Sequence, residues 1–191
     1  AYEIKECDWS SDVCSSDLKM KQRLLMFPFF SLLSAIKEPA ILAFSTASSE
    51  AAMPVTIENL EKFGISNRVV SFVLPLGYSF NLDGSIMYMT FATAFIAQAY
   101  GMDMSIGDQI QMMLILLLAS KGIAGVPRAS LVVIAGMLST FHIPAEGLLL
   151  VLAIDQILDM GRSATNVVGN AVASAVVAKS ENEFTPNANL R

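Results

Sequence analysis

Five side chains able to carry or hold charge recur at helical spacing near the end of this 191-residue chain: Asp155, Asp159, Arg162, Asn166 and Asn170. At about 100° per residue they fall within an arc of about 80°, so one helix stripe carries two carboxylates, a guanidinium and two amides. Arg162 suits a carboxylate, because its planar fork donates to two oxygens at once. Asp159, on the same stripe, can accept hydrogen bonds from an ammonium group. Together they fit a small solute with an acidic end and an amine. A second locus is Asn81-Leu82-Asp83-Gly84-Ser85. There Asn81, Asp83 and unwound carbonyls offer oxygen ligands to a monovalent cation, or Asp83 offers a proton site, and Gly84 permits local unwinding. The plainer reading of the stripe is a salt-bridge ladder that only joins helices, but a ladder gives no reason for the interrupted segment at 81–85.

Enzyme chemistry finds little support. Ser49 has no histidine to act as its base. Cys7 and Cys14 are spaced C-x6-C with no nearby histidine, which argues against a metal site. No resident metal or organic cofactor is expected, and the net charge of -5 offers no basic patch for nucleic acid.

The elements that must position these residues read as membrane segments. Hydrophobic residues make up 54% of the chain and charged ones 15%, against about 25% charged in soluble domains. Charges are absent between Asp83 and Asp103, between Asp108 and Lys121, and between Arg162 and Lys179, stretches natural in lipid. The chain divides into four core segments over 39–180. Residues 39–62 form a re-entrant helical hairpin: PAILAFST reaches only about 12 Å as a helix, under half of a hydrocarbon layer of about 30 Å. Residues 67–101 form a span broken at 81–85. Residues 107–140 repeat the hairpin, its tip SKGIAGVP echoing ASSEAAMP in the first. Residues 145–178 form a polar span. The fold class is therefore all-α and membrane-embedded, with interrupted segments at matching places in two halves, as in inverted-repeat transporters. Before this core, 19–38 reads as a juxtamembrane helix or the stub of a preceding span. Residues 1–18, with Trp9 and both cysteines, break in composition and read as a non-native segment, and no signal peptide is expected. The tail 181–191 reads as polar and cytoplasmic. Lys37, Lys62, Arg68 and Lys179 fall at one set of segment ends, while 101–108 and 140–147 hold no Lys or Arg. By the positive-inside rule the first set is cytoplasmic. The eleven methionines and eleven phenylalanines read as lipid-facing or packing residues, and His142 as a surface residue of an external loop.

FSTASSEAAMP, LGYSFNLDGS, SKGIAGVP and DQILDMGRSATNVVGN, in that order, resemble the dicarboxylate/amino acid:cation symporter family, which has the glutamate transporter fold. The resemblance covers roughly residues 24–180 and is nearest to the bacterial proton-coupled glutamate/aspartate symporters. It implies that this chain is the C-terminal, substrate-binding half of a homotrimeric carrier of the bacterial inner membrane, with the two hairpins as gates. It further implies substrate contacts from the Ser49 and Ser85 hydroxyls and from the Val126 backbone. Asp159 would bind the substrate amine, Arg162 its side-chain carboxylate and Asn166 its backbone carboxylate. Asn81, Asp83 and Asn166 would lie in cation sites, and Ser79, Ser120 and Ile123 in another. Sodium-coupled members carry NMDGT where this chain has NLDGS, and an aspartate cation ligand where it has Asn170. That loss of negative charge resembles the proton-coupled branch, with sodium as the alternative coupling ion. Some members carry an arginine before the first-tip serines, where Ala47 stands here. The carriers of plain dicarboxylates depart from DMGR, so Asp159 points to glutamate or aspartate. A C4-dicarboxylate or cystine symporter is the runner-up, and a channel or a structural subunit of the membrane is the reading from another class.

Overall fold

The computed structural model describes residues 29–122 and 128–185. The segment 1–28 with Cys7 and Cys14, the tip residues Ile123 and Val126, and the end of the tail lie outside the described residues. Every regular element described is helical, apart from one isolated antiparallel bridge between Ile65 and Phe184.

Helix α1 (Phe29–Ala35) and α2 (Lys37–Thr46) meet at Ile36 with a bend of 52°. Pro39 lies in the first turn of α2, where a missing N–H costs no helical bond. Ala47 ends α2 in the left-handed conformation (φ 51°), and the Ser48 N–H closes back on the Ala43 carbonyl at 3.2 Å. Helix α3 (Met53–Phe63) again opens with a proline in its first turn and buries Thr56, Leu60 and Phe63 on one face. Helices α2 and α3 thus form a helix–turn–helix close to the predicted bounds 39–62.

Helices α4 (Asn67–Phe80) and α5 (Asp83–Ala99) are the two halves of the interrupted segment. The break is narrower than the sequence predicts: only Asn81 and Leu82 leave helical geometry, and Asp83, Gly84 and Ser85 form the first turn of α5 rather than the gap before it. An aspartate in a first turn is favoured by the helix dipole. Helix α6 (Ile106–Ala119) starts at a capping box in which Ser105 and Asp108 bond reciprocally. A 3₁₀ turn (Ser120–Gly122) follows it, and α7 (Ala129–Thr140) comes next. The stretch 145–178, expected as one element, is divided into a 3₁₀ turn (Ala145–Gly147), α8 (Leu148–Leu152) and α9 (Asp155–Ser180).

Helix α9 is the post around which α2, α4 and α5 pack. Two apolar clusters form on either side of its polar stripe. Leu82, Met89, Ile96, Met112, Ile134 and Val151 belong to one, drawn from α5 to α8. Leu32, Leu60, Val70, Leu74, Ala171 and Ala175 belong to the other, drawn from α1, α3, α4 and the second half of α9. The chain passes from one cluster to the other at 81–85 on the α4–α5 segment and at 155–170 on α9, so the polar residues occupy the seam.

The exterior is strongly apolar. Phe30, Phe72, Phe91, Ile106, Leu118 and Val132 are each at least 70% exposed. Among the described residues no single helix is long and apolar enough to cross a membrane, although α1 and α2 together reach that length and composition. Lysines and arginines of the segment ends gather on one side. Backbone bonds from Ser66 to Glu183 (3.1 Å) and from Thr185 to Gly64 (2.9 Å) bring the α3–α4 loop to the end of α9, and Asn59 bonds the Ala35 carbonyl at 3.2 Å. Lys37, Lys62, Arg68 and Lys179 therefore share one end. At the other, Gly147 packs so closely on Ile96 and Tyr100 that a Cβ there would come within 2.4 Å of Ile96.

Two glycines separate the packing argument from simple helix propensity. A Cβ on Gly84 would lie 2.4 Å from the Arg162 carbonyl oxygen, whereas one on Gly136 would meet nothing within 4 Å. Gly84→Ala is expected to destabilise the protein by about 1–3 kcal/mol through overpacking. Gly136→Ala should be neutral or stabilise by up to about 1 kcal/mol. Thermal unfolding of the two variants checks the contrast.

Candidate functional site

The first turn of α5 meets α9 without a cap of its own, since Leu82 has no polar side chain to satisfy the free amides of a helix start. Helix α9 supplies the missing acceptor: the Gly84 N–H donates to Asn166 Oδ1 at 2.9 Å. Ser85 then faces α9, and its Oγ accepts from Arg162 Nη1 and from Asn166 Nδ2, both at 3.1 Å. Only glycine at 84 allows this approach.

Arg162 Nε lies 2.6 Å from Asp159 Oδ1, and the two side chains are 0% and 1% exposed. A buried pair of this kind loses hydration worth several kcal/mol per ion and persists only when further hydrogen bonds satisfy both partners. Here Ser85 serves the guanidinium, and the main-chain N–H of Arg128 donates to Asp159 Oδ2 at 2.9 Å. One turn earlier, Asp155 is fully buried. The Tyr88 hydroxyl donates to its Oδ1, while Oδ2 has no hydrogen-bond partner and lies 3.7 Å from Arg128 Nε.

A second polar group continues along α9. Asn170 Oδ1 lies 3.2 Å from the Asn81 amide and fills the place where a Cβ on Gly77 would sit. The Asn81 amide is best satisfied with its nitrogen toward Asp83, 3.2 Å from each carboxylate oxygen, and its oxygen toward Asn170, whose amide then turns its otherwise unpartnered nitrogen to donate. Asp83 itself is exposed and lies against Gly169, whose added Cβ would come within 3.0 Å of Asp83 Oδ2. The result is a small group of carboxylate and amide oxygens beside the buried cluster.

The predicted site residues therefore divide. Ser85, Asp159, Arg162 and Asn166 form one bonded cluster, and Asn81, Asp83 and Asn170 a neighbouring one. Ser49 lies in the α2–α3 turn, 1% exposed, with its hydroxyl unpartnered. That turn reaches α9 through Ala52, which packs with Val167 beside Asn166. Ser79 is exposed and bonds the Pro75 carbonyl, and Ser120 is buried and bonds Leu117, so each hydroxyl stays on its own helix. Lys121, in the 3₁₀ turn, donates across to the Phe80 carbonyl and holds that turn on the end of α4. Ile123 and Val126 lie outside the described residues.

Arg128 and Tyr88 were not foreseen as site residues. Arg128 had a signal: it is the one charged side chain between Lys121 and Glu146 in an otherwise apolar stretch, and such residues are expensive in lipid unless they serve a purpose. Tyr88 had none, being one aromatic residue in an apolar helix. An apolar crevice of about 490 Å³ between α5 and α8–α9 is lined mainly by apolar side chains such as Met87, Phe91, Phe95, Ile154 and Leu158, with Arg162 the one charged residue on its wall. It does not suit a charged solute.

Comparison with known families matches residues 23–180 to the sodium:dicarboxylate symporter family. The chain is 48% identical over 162 residues to a proton/sodium-glutamate symport protein of Bacillus caldotenax. It is 50% identical over 162 residues to the proton/glutamate-aspartate symporter of Escherichia coli (strain K12). It is 45% identical over 163 residues to a C4-dicarboxylate transport protein of Bacillus subtilis (strain 168). Each match covers 85% of this chain but only 38%, 37% and 39% of the respective relative, so the chain spans little more than a third of their length.

The buried pair gives a prediction independent of any solute. Asp159→Leu removes the carboxylate that balances the buried guanidinium and should cost about 3–5 kcal/mol, whereas replacing both partners, Asp159→Leu with Arg162→Met, should recover most of that loss. Thermal unfolding of the single and double variants measures both; a double variant no better than the single would show that the pair is not the unit that matters.

Proposed function

This chain belongs to the sodium:dicarboxylate symporter family, and on that premise we propose that it forms the solute-binding part of a secondary symporter for acidic amino acids. The family is one of transporters, not enzymes. The observation that carries the proposal is the buried cluster of Asp159, Arg162, Ser85 and Asn166 at the seam. A guanidinium held by a carboxylate and a hydroxyl can offer its fork to a solute carboxylate. The neighbouring Asp159 carboxylate attracts an ammonium and repels a second acid. Glutamate and aspartate satisfy both, and two relatives are named for them. Asn166 and the Ser85 hydroxyl serve the second carboxylate, with Ser49 and the Val126 backbone closing on it from the two turns.

The coupling ion is a proton in preference to sodium. Asn170 supplies an amide where a carboxylate would hold sodium more firmly, and Asp83 is the nearby carboxylate that can carry a proton. Sodium, if used, would be held by oxygens of Asn81, Asp83, Asn166 and Asn170, with Ser79, Ser120 and Ile123 forming a further site. The apolar exterior, the paired short helices and the collection of cations at one end all support a multi-pass protein of the bacterial inner membrane. In it the α2–α3 and α6–α7 pairs enter and return from opposite sides, α4–α5 and α8–α9 cross, and the basic end is cytoplasmic. The complete carrier is a homotrimer. A second reading, C4-dicarboxylate transport, is favoured by the relatives of that name at similar identity, and Asp159 argues against it.

Uptake into liposomes by the complete transporter tests the proposal. Arg162→Lys keeps the charge but loses the fork, and should weaken apparent affinity for aspartate about ten-fold or more, a loss of roughly 1.4 kcal/mol; unchanged affinity would remove Arg162 from the site. Uptake should persist without sodium and stop when the proton gradient is collapsed, and strict sodium dependence would contradict proton coupling.

A further inference from the structure

Both oxygens of Asp159 are engaged: Oδ1 by Arg162 Nε at 2.6 Å and Oδ2 by the Arg128 main-chain N–H at 2.9 Å. Each oxygen could accept a further hydrogen bond, but Asp159 is 1% exposed, so an ammonium that reaches it must push aside one of the two donors that cover it. Arg162 is buried, held by Ser85 and needed where it stands for the solute carboxylate, so moving it is costly. Displacing the Arg128 N–H releases one neutral donor from a part-buried contact, a smaller loss than moving a buried charge. The start of α7 is therefore the partner that yields.

What holds it there is the rest of Arg128. The residue adopts φ 62°, a left-handed conformation unfavourable for a residue with a side chain. Its guanidinium extends toward Asp155, with Nε 3.7 Å from the Oδ2 that lacks a hydrogen-bond partner. The other Asp155 oxygen is occupied by Tyr88. Two carboxylates, Asp155 and Asp159, thus face two guanidiniums, Arg128 and Arg162, and their charges balance.

We propose that Arg128 is a specificity-determining residue: its ion pair with Asp155 holds the start of α7 on Asp159, and the ammonium of a solute, not its carboxylates, releases that contact. This rests on the reading of Asp159 as the amine site. A dicarboxylate without an amine places nothing at Asp159, leaves the contact intact and gains from the positive charge of Arg128. An acidic amino acid gains the same for its carboxylates but must push aside the N–H that covers Asp159 and bring a like charge toward the guanidinium. Arg128 therefore narrows the preference for amino acids over plain dicarboxylates, and removing its charge widens it.

The test compares native, Arg128→Asn and Arg128→Lys forms of the complete transporter in detergent, by equilibrium binding of L-aspartate and of succinate. Asparagine tolerates the left-handed backbone, so the first variant removes charge while keeping the local fold. The ratio of succinate Kd to aspartate Kd is expected to rise about two- to five-fold in Arg128→Asn, the scale of an ion pair with one exposed partner, and to stay near the native value in Arg128→Lys. Hydrogen exchange in the first bonded turn of α7, residues 131–134, measured without solute, should accelerate in Arg128→Asn and not in Arg128→Lys. A ratio that is unchanged or falls, or exchange indifferent to the charge, overturns the proposal. If the native transporter binds neither ligand, the functional reading fails instead, and the exchange measurement still decides whether the ion pair holds α7.

Discussion

A guanidinium and a carboxylate in direct contact away from solvent are favourable only if nearly every remaining donor and acceptor on them is met. Much of the architecture can be derived from that requirement at Arg162 and Asp159. Ser85 must reach the guanidinium, so the first turn of α5 must lie on α9. That approach needs glycine at 84 and a break just before it, and the N-terminal amide exposed by the break needs an acceptor, which Asn166 supplies. The start of α7 completes the carboxylate. Three separate segments are thereby fixed around a few polar atoms.

Such a cluster is poorly suited to the middle of a single apolar core, and it does not lie in one. It lies where two apolar clusters meet, and the two interrupted or polar stretches of chain are the ones that cross between them. Small residues on the second half of α9, including Ala171, Ala175 and Ala178, let α4 and α3 pack close on one side of the cluster. The apolar exterior then places bulky side chains where a soluble protein would carry charge.

The polar stripe was legible in the sequence because helix periodicity is rigid: residues three and four apart must share a face, and all five members are buried on α9. The α2–α3 helix–turn–helix was legible from a short apolar arm followed by small residues. The exact break at 81–82 was not, because Asp83 and Gly84 read as breakers in isolation. They join α5 only because α9 offers an acceptor for Gly84. Division of the last segment at Ala153–Ile154 and the bend at Ile36 carried no glycine or proline at the break. Arg128 was missed as a partner because its reach to Asp155 and Asp159 spans distant parts of the chain, which no local pattern encodes. Ser79 and Ser120 entered through family resemblance, and their hydroxyls stay on their own helices.

The most direct measurement is a structure of the complete transporter with L-aspartate bound, at a resolution that orients the solute. The expected result is a solute carboxylate on the Arg162 guanidinium and the ammonium on Asp159, each at about 3 Å, with Ser85 and Asn166 beside the other carboxylate. A solute bound elsewhere, with the Arg162–Asp159–Ser85 contacts unchanged, would make that cluster a structural joint and contradict its role as the binding site.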